Sequence, residues 1–321
     1  MFRHLGHTLI AIVSSTGVAI AAEHFPTRPV RMIIPFAPGG TTDLAGRVAG
    51  QHLSAYWKQT VVVDNRLGAG GNIAAELVAK ATPDGYTLLF NTAAIFIAPS
   101  IYKRLPFDPI KDFIPVSKVG FSPAVVIVNP RVNANSISEL VALAKAQPGK
   151  LNFGSAGTGV AAHLATELFK TMANVNIVHI PYKGGAPALT DLLGGQIQIL
   201  FNALGTALPL AKSGKVKALA VTTAQRSPFA PNLPTVSESG VPRYEFSYWY
   251  ALFAPAKTPI SVVTQLNRDI VNVVALPATK AQLEFHGVTA ASSSLSEFAA
   301  EVRGELRTWA DVAKNAGIQP Q

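Results

Sequence analysis

Three turns between predicted strands and helices are rich in glycine and small polar residues. They cover residues 35–43 (PFAPGGTTD), 154–163 (GSAGTGVAAH) and 181–188 (PYKGGAPA). A helix N-terminus presents unpaired N–H groups and a partial positive charge, and glycine lets a ligand approach the backbone closely. The three turns are therefore candidate anion-binding sites. The alternative is a helix start without a ligand, at which Asp43, for example, satisfies first-turn amides.

The second turn also imitates a dinucleotide-binding fingerprint. Gly157-x-Gly159-x-x-Ala162 stands between a predicted strand and a predicted helix. The ribose-binding acid expected after the following strand is missing, because residues 177–180 run into PYK. The first turn likewise lacks the Lys-Ser/Thr pair of a phosphate-binding P-loop. These incomplete motifs predict no cofactor. They argue against the alternative, which is an exported oxidoreductase.

Ser155 has a frame similar to a nucleophile elbow, but Phe153 occupies the place of its first glycine. The histidines lack the spacing of a helical metal site, and no pair of acidic residues suggests acid–base catalysis. His163 is predicted to hydrogen-bond at a helix start rather than to hold a metal. The sequence thus predicts no catalytic residue and no metal site, with an exported hydrolase as the alternative.

The chain has 321 residues, of which 49% are apolar and none is cysteine. This length allows roughly two domains, and the lack of cysteine excludes disulfides, zinc–thiolate sites and thiol catalysis. The formal net charge is +9, but no basic run exceeds pairs such as Lys103-Arg104. Scattered charges do not form an electrostatic footprint, so no nucleic-acid partner is predicted.

The first 22 residues have the organisation of a secretory signal peptide. Arg3 precedes an apolar stretch at residues 9–20, and small residues before Glu23 allow cleavage near Ala21 or Ala22. The apolar stretch is shorter than the roughly 20 residues that a helix needs to cross a bilayer. We therefore expect export to the periplasm.

Short β-branched runs alternate with helical patterns from residue 26 onward. Such alternation predicts parallel sheets in an open α/β fold. Strands are predicted at residues 30–34, 60–63, 86–90, 125–128, 151–153, 177–180, 197–201 and 216–221, and helices at residues 41–55, 72–80, 137–144 and near the C-terminus.

A series of short segments follows in a characteristic order from about residue 25 to residue 317. They include PVR at 29–31, PFxxGGxxD at 35–43, NRxGAGGN at 65–72, PDGYTL at 83–88, LPFDP at 105–109, PGKL at 148–151, LPT at 233–235 and APAKTP at 254–259. In their order and number they make the chain resemble the substrate-binding proteins of tripartite tricarboxylate transporters, the Bug receptors.

The resemblance implies an α/β fold of the periplasmic binding protein type, type II-like. Two lobes are each a sheet flanked by helices, and two crossing strands serve as the hinge. Residues 23–120 and 247–321 are expected to form the first lobe and residues 121–246 the second. The crossings are expected near residues 119–123 and 246–249.

The resemblance also implies a site at which a carboxylate binds between the lobes through backbone N–H groups, hydroxyls and waters. At Asn202 many relatives carry an acid, and its loss argues against an ammonium-bearing ligand such as an amino acid. The implied ligand-binding residues are Phe36, Ala37, Gly39, Gly40, Thr41, Asp43, Asn91, Thr92, Ser155, Ala156, Thr158, Tyr182, Gly184, Ala186 and Asn202.

The function expected from the resemblance is that of a non-enzymatic, monomeric periplasmic receptor. It captures a small carboxylate and delivers it to the integral membrane subunits of a transporter. A sensor that feeds a signalling partner is the alternative to uptake. Because backbone donors accept any carboxylate, the sequence does not select one.

Overall fold

The computed structural model describes residues 25–182 and 184–320. The predicted signal peptide, its cleavage site and Lys183 lie outside these residues. A 3₁₀ turn covers Ala69–Gly71. The strands are β1 (Val30–Ile34), β2 (Val61–Asn65), β3 (Thr87–Asn91), β4 (Phe113–Val128), β5 (Asn152–Ser155), β6 (Val178–Pro181), β7 (Ile199–Ala203), β8 (Lys217–Val221), β9 (Ser247–Pro255) and β10 (Thr289–Ala290). The helices are α1 (Thr41–Trp57), α2 (Asn72–Ala79), α3 (Ala94–Ile101), α4 (Ile137–Ala146), α5 (Ala161–Ala173), α6 (Gly185–Gly194), α7 (Leu204–Lys212), α8 (Ile260–Ala275), α9 (Pro277–Phe285) and α10 (Leu295–Asn315).

Each half of the fold contains a group of parallel strands. β1 pairs in parallel with β2 and β3, and β5 pairs in parallel with β6 and β7. Val30 and the apolar residues from Met32 to Ile34 are all buried, which is typical of a parallel strand covered on both faces. The predicted strands and helices of these two halves are therefore present with small shifts of their ends.

The two halves are joined by strands that run antiparallel to their neighbours. From Phe113 to Pro123, β4 pairs with β9, and from Ala124 to Val128 it lies against β7 and β8. Near the return crossing, the Phe246 N–H donates to the Thr222 carbonyl oxygen at 2.8 Å. The chain thus crosses at two adjacent places. We use "first lobe" and "second lobe" for the two sequence ranges predicted above, whose boundaries remain a prediction.

The sheet is mixed, whereas the sequence pattern predicted parallel sheets. Its order is β2-β1-β3-β9-β4-β7-β5-β6, with β8 and β10 also paired to β4. An alternation of strands and helices gives no sign that a strand crosses between lobes, so the antiparallel strands β4 and β9 were not distinguished. The prediction of an α/β fold with two crossing strands is confirmed.

Three apolar clusters form the core. One contains Val30, Leu53 and Ile270, under α1 and α8 of the first lobe. Another contains Leu192 and Leu204, from α6 and α7 of the second lobe. The third spans both lobes, and α10 packs against both α3 and α5. Among the described helices, none is both long and apolar enough to cross a bilayer.

Candidate functional site

The predicted site residues lie at the carboxyl ends of parallel strands. In the first lobe β1 leads into the 36–43 turn, and β3 ends at Asn91. In the second lobe β5 ends at Ser155, β6 at Pro181 and β7 at Ala203. The carboxyl ends of parallel strands share one edge of a sheet, and open α/β folds bind ligands outside that edge. Each lobe therefore gathers its glycine-rich loops on one side.

The lobes touch each other at two glycines. A Cβ atom added to Gly159 of the second lobe would lie 2.4 Å from the Ile101 side chain of the first lobe. A Cβ atom added to Gly205 would lie 2.6 Å from the carbonyl oxygen of His286. Any larger residue at either position would push the lobes apart, so these glycines permit the observed arrangement.

Five helices that follow these strand ends begin without a side-chain cap, namely α1, α3, α5, α6 and α7. Three of them, α1, α5 and α6, follow the glycine-rich turns. By contrast, Ser136 caps α4, and Ser294 with Glu297 forms a capping box at α10. Helices α8 and α9 are also uncapped but begin away from these strand ends, beside Pro259 and Pro277. The first-turn N–H groups of α1, α5 and α6 can therefore serve a bound anion.

Asp43 organises the first-lobe loop from within. Its side chain is 2% exposed and accepts hydrogen bonds from Gly39 N–H, Arg47 Nε and Asn65 Nδ2, each at 2.9 Å. Asn65 Nδ2 also donates to the Phe36 carbonyl oxygen at 2.8 Å. Burial opposes ionisation of Asp43, but the hydrogen bonds from these groups outweigh it and lower the pKa of the carboxyl. Asp43 thus holds the loop through its side chain.

Five other predicted residues of the first lobe lie on this loop. Phe36 and Thr41 are half-buried, whereas Ala37, Gly39 and Gly40 are exposed. Behind the loop lies Tyr250, whose phenol has its pKa raised by burial, and hydrogen bonding with Ser122 and Thr41 opposes that shift.

Asn91 and Thr92 are both buried and order the turn into α3. Asn91 Oδ1 accepts a hydrogen bond from Thr92 N–H at 2.8 Å, and Thr92 Oγ1 accepts one from Ala94 N–H at 3.3 Å. The two oxygens are therefore engaged in the turn.

Ser155 has three polar neighbours in the second-lobe loop. Its hydroxyl donates to the Gly157 carbonyl oxygen at 2.7 Å and accepts from Gly157 N–H at 3.2 Å. His179 Nε2 lies 2.7 Å from the same oxygen. The Ser155 side chain is buried, while Ala156 is exposed and Thr158 is half-buried.

Two stacked imidazole rings lie beneath this loop. The rings of His163 and His179 have centroids 3.8 Å apart. His163 Nδ1 accepts a hydrogen bond from Gly159 N–H at 3.0 Å, which confirms the prediction of a helix-start hydrogen bond for this residue. Burial, helped by the charge of Lys170, lowers the pKa of His163 to about 4. Burial, followed by the influence of His163 and Lys170, lowers the pKa of His179 to about 3. Both rings are therefore neutral at pH 7.

The third predicted turn lies against the second. Tyr182 N–H donates to the Ser155 carbonyl oxygen at 3.0 Å, and the Tyr182 hydroxyl donates to Asp191 Oδ2 at 2.7 Å. Burial and the adjacent Asp191 carboxylate raise the pKa of Tyr182 to about 12. Gly184 precedes α6, Ala186 is exposed in its first turn, and Asn202 is half-buried near the end of β7.

Sequence reasoning missed three residues that shape these loops: Arg47, Asn65 and His179. A signal existed for Arg47, because it stands four residues after Asp43 on the same helix face. Nothing in the spacing of His179 pointed to Ser155, since their contact depends on the pairing of β5 with β6. Among the described residues, no group of three or more His, Asp or Glu side chains could hold a metal ion.

This fold and these loops define the class of the protein: a two-lobed α/β protein of the periplasmic binding protein fold, with glycine-rich loops at the edges where the lobes meet. Residues 45–318 match the family model described as "Tripartite tricarboxylate transporter family receptor". The chain belongs to that family.

Known proteins are similar over nearly the whole chain. Protein BugT of Bordetella pertussis is 36% identical over 311 residues, which cover 96% of this chain and 95% of BugT. Three solved structures are also similar. "R. palustris Rpa4515 with adipate" has 38% identity and a TM-score of 0.87, covering 92% of this chain and 100% of that chain. "Structure of periplasmic binding protein BugD" has 36% identity and a TM-score of 0.83, covering 92% and 100%. "MatC (Rpa3494) from Rhodopseudomonas palustris with bound malate" has 30% identity and a TM-score of 0.81, covering 90% and 99%.

Proposed function

We propose that the protein is an exported periplasmic receptor that captures a small carboxylate between its lobes and delivers it to the membrane subunits of a tripartite tricarboxylate-type transporter. The observation that carries the proposal is that three glycine-rich loops, each followed by a helix without a side-chain cap, gather at the facing edges of the lobes. The similar chains bound to adipate and to malate support a carboxylate as the ligand. The receptor acts as a monomer in this proposal.

The proposed contacts are mainly from the main chain, because several predicted side chains are already engaged. Asp43, Ser155 and Tyr182 hold their own loops. The main-chain N–H groups of Ala156 and Thr158 have no acceptor among the described residues. Those two N–H groups, with the first-turn amides of α1 and α6, are the proposed donors to the carboxylate. The hydroxyl groups of Thr41 and Thr158 and the side chain of Asn202 complete the proposed site.

Such donors supply enough free energy for a receptor. A hydrogen bond to a charged group contributes about 1.5–3 kcal/mol, and a helix N-terminus adds about 0.3–1 kcal/mol. Micromolar affinity requires about 8 kcal/mol after the cost of association. Four or five donors reach this value when both lobes contact the ligand and exclude water. Ligand binding therefore stabilises the closed arrangement, which a transporter can recognise.

A thermal-shift titration tests the proposal. The panel contains butyrate, adipate, malate, citrate and benzoate, with adipamide as an uncharged control for adipate. We expect a saturable rise in melting temperature for at least one class of acid and none for adipamide, because a ligand that binds only the folded state stabilises it. No stabilisation by any of these acids, or equal stabilisation by adipamide, would contradict the proposal.

Two matched glycine variants test whether the acid binds at the N-terminus of α1. Gly40 has an extended backbone conformation, and a Cβ atom there would meet only the Ala37 carbonyl oxygen at 3.6 Å. Gly40→Val therefore fits the fold but places a branched side chain over the α1 N-terminus. We expect it to reduce the affinity for the stabilising acid about tenfold or more. Gly304→Val is the control: Gly304 lies within α10, an added Cβ atom there would meet nothing within 4 Å, and the affinity is expected to stay unchanged.

The 2.7 Å contact between Ser155 and His179 raises hydrolysis as a second candidate function. Two properties of the site disfavour it. The Ser155 side chain is buried, and a histidine with a pKa of about 3 is a poor general base at neutral pH. Receptor function therefore accounts better for this loop.

A further inference from the structure

The stacked rings of His163 and His179 are a feature that carboxylate binding by main-chain amides leaves unexplained. We propose that they are a positioning pair. Each ring carries its proton on Nε2, and together the rings hold both ends of the 155–159 loop through hydrogen bonds, in the conformation that faces the first lobe. The importance of this pair for binding rests on the proposed function, because the 155–159 loop is one of the proposed ligand loops.

The hydrogen bond to His163 defines the tautomer of its ring. Gly159 N–H donates to His163 Nδ1 at 3.0 Å, and an N–H group donates only to a nitrogen that carries no proton. The proton of the neutral ring is therefore on Nε2, which lies 3.7 Å from Glu167 Oε1. This separation exceeds hydrogen-bond distance, so Glu167 is a neighbour of the ring rather than its acceptor. This ring fastens the Gly159 end of the loop.

The contacts of Ser155 define the tautomer of His179. The Ser155 hydroxyl has one proton and two lone pairs, and it meets a carbonyl oxygen, an N–H group and His179 Nε2. The proton must go to the Gly157 carbonyl oxygen at 2.7 Å, since two oxygens at that distance repel each other without a proton between them. The lone pairs then accept from Gly157 N–H and from His179, which requires a proton on Nε2. This ring fastens the Ser155 end of the loop.

The main-chain N–H groups of this loop form two alternating sets. The N–H groups of Gly157 and Gly159 are used within the protein, toward Ser155 Oγ and His163 Nδ1. The N–H groups of Ala156 and Thr158 have no acceptor among the described residues. Gly159 is also the residue that meets Ile101 of the first lobe. The histidine pair therefore orients both the amides of Ala156 and Thr158, which are proposed ligand donors, and the point of contact between the lobes.

Long-range ¹H–¹⁵N spectra of the histidine rings in the ligand-free protein test the tautomers directly. We expect both rings to show the pattern of the neutral Nε2–H form at pH 7. A proton on Nδ1 of either ring would overturn the proposal, because that ring could not make the contact assigned to it.

Two substitutions at His163 separate hydrogen bonding from packing. His163→Phe keeps an aromatic ring in the stack but has no acceptor. His163→Asn loses the ring but keeps an acceptor oxygen near the position of Nδ1. We expect hydrogen exchange of the Gly159 amide to become about tenfold faster in the phenylalanine variant and to stay close to the wild-type rate in the asparagine variant. Equal exchange rates in the two variants would overturn the positioning role.

Neither measurement uses a ligand, so each outcome is separate from that of the carboxylate panel. If the tautomers and exchange rates are as expected while no acid binds, the positioning pair stands and the proposed function fails. If an acid binds while a tautomer is wrong, the receptor stands and the positioning pair fails.

Discussion

The loops that contain Gly39 and Gly157 have the same place in their lobes but are held by different chemistry. Both follow a parallel strand and precede a helix without a side-chain cap. In the first lobe, the buried carboxylate of Asp43 accepts hydrogen bonds from Gly39, Arg47 and Asn65. In the second lobe, neutral imidazole rings contact Ser155 and Gly159. A buried carboxylate thus holds the loop of the first lobe, and a pair of neutral rings holds the loop of the second.

The difference teaches that the glycine-rich pattern and the means of holding it are separate properties. A buried carboxylate depends on several donors at once, since losing them leaves an unpaired charge. The contacts of the two buried histidine rings depend on each ring remaining neutral, with a single proton. The two loops are therefore expected to respond differently to substitution and to pH.

The largest expected effect is that of Asp43→Ala. Removing a buried carboxylate that satisfies three donors is expected to lower the free energy of unfolding by about 3 kcal/mol. Arg47→Ala is the control, because the Arg47 side chain is 47% exposed and a half-exposed ion pair contributes at most about 1 kcal/mol. Urea denaturation measures both. Equal losses in the two variants would show that Asp43 acts only through its ion pair.

The next effect is a loss of stability on mild acidification. In the unfolded chain a histidine has a pKa near 6.5, whereas His163 has a pKa of about 4 in the fold. Between these values the unfolded state binds more protons, so stability falls as the pH falls from 7 to 5, by about 2 kcal/mol for this residue. The pKa of Asp43 is lowered below 3.8, so its contribution remains over this range.

Urea denaturation at pH 7 and pH 5 checks this difference between the loops. The double variant with His163→Phe and His179→Phe should lose less stability than the wild type between the two pH values. Asp43→Asn should show the same pH dependence as the wild type. A double variant with an unchanged pH dependence would contradict the assignment to these rings.

The smallest expected effect concerns the contact between the lobes. Gly159→Ala is expected to weaken binding of the stabilising acid about tenfold, because its new Cβ atom would overlap the Ile101 side chain. Ile101→Ala in the same chain should restore part of the affinity. Gly214→Ala, outside the proposed ligand loops, is the matched control: it also places alanine at a positive φ, but its Cβ atom would meet nothing within 4 Å. Isothermal titration measures the three affinities, and no recovery in the double variant would remove Ile101 from the argument.

Sequence reasoning located the loops well because local patterns define them. Turns such as PFAPGGTTD combine a strand end, positive-φ glycine and a helix start within nine residues, and each part has a local physical cause. It was less successful with the strands that join the lobes. The first part of β4 was not predicted as a strand apart from the expected crossing, since residues 113–123 have no distinct alternation and gain their pairing from β9.

The sequence by itself determined the α/β class, the positions of the glycine-rich turns and the family to which their order points. These depend on residue types within short segments, where propensity, turn chemistry and helix-start patterns act. Only the tertiary structure decided that Asp43 serves its own loop, that His179 contacts Ser155, and that Gly159 meets Ile101. The physical reason is that hydrogen bonds and close contacts depend on distances between distant segments, and strand pairing and lobe packing set those distances.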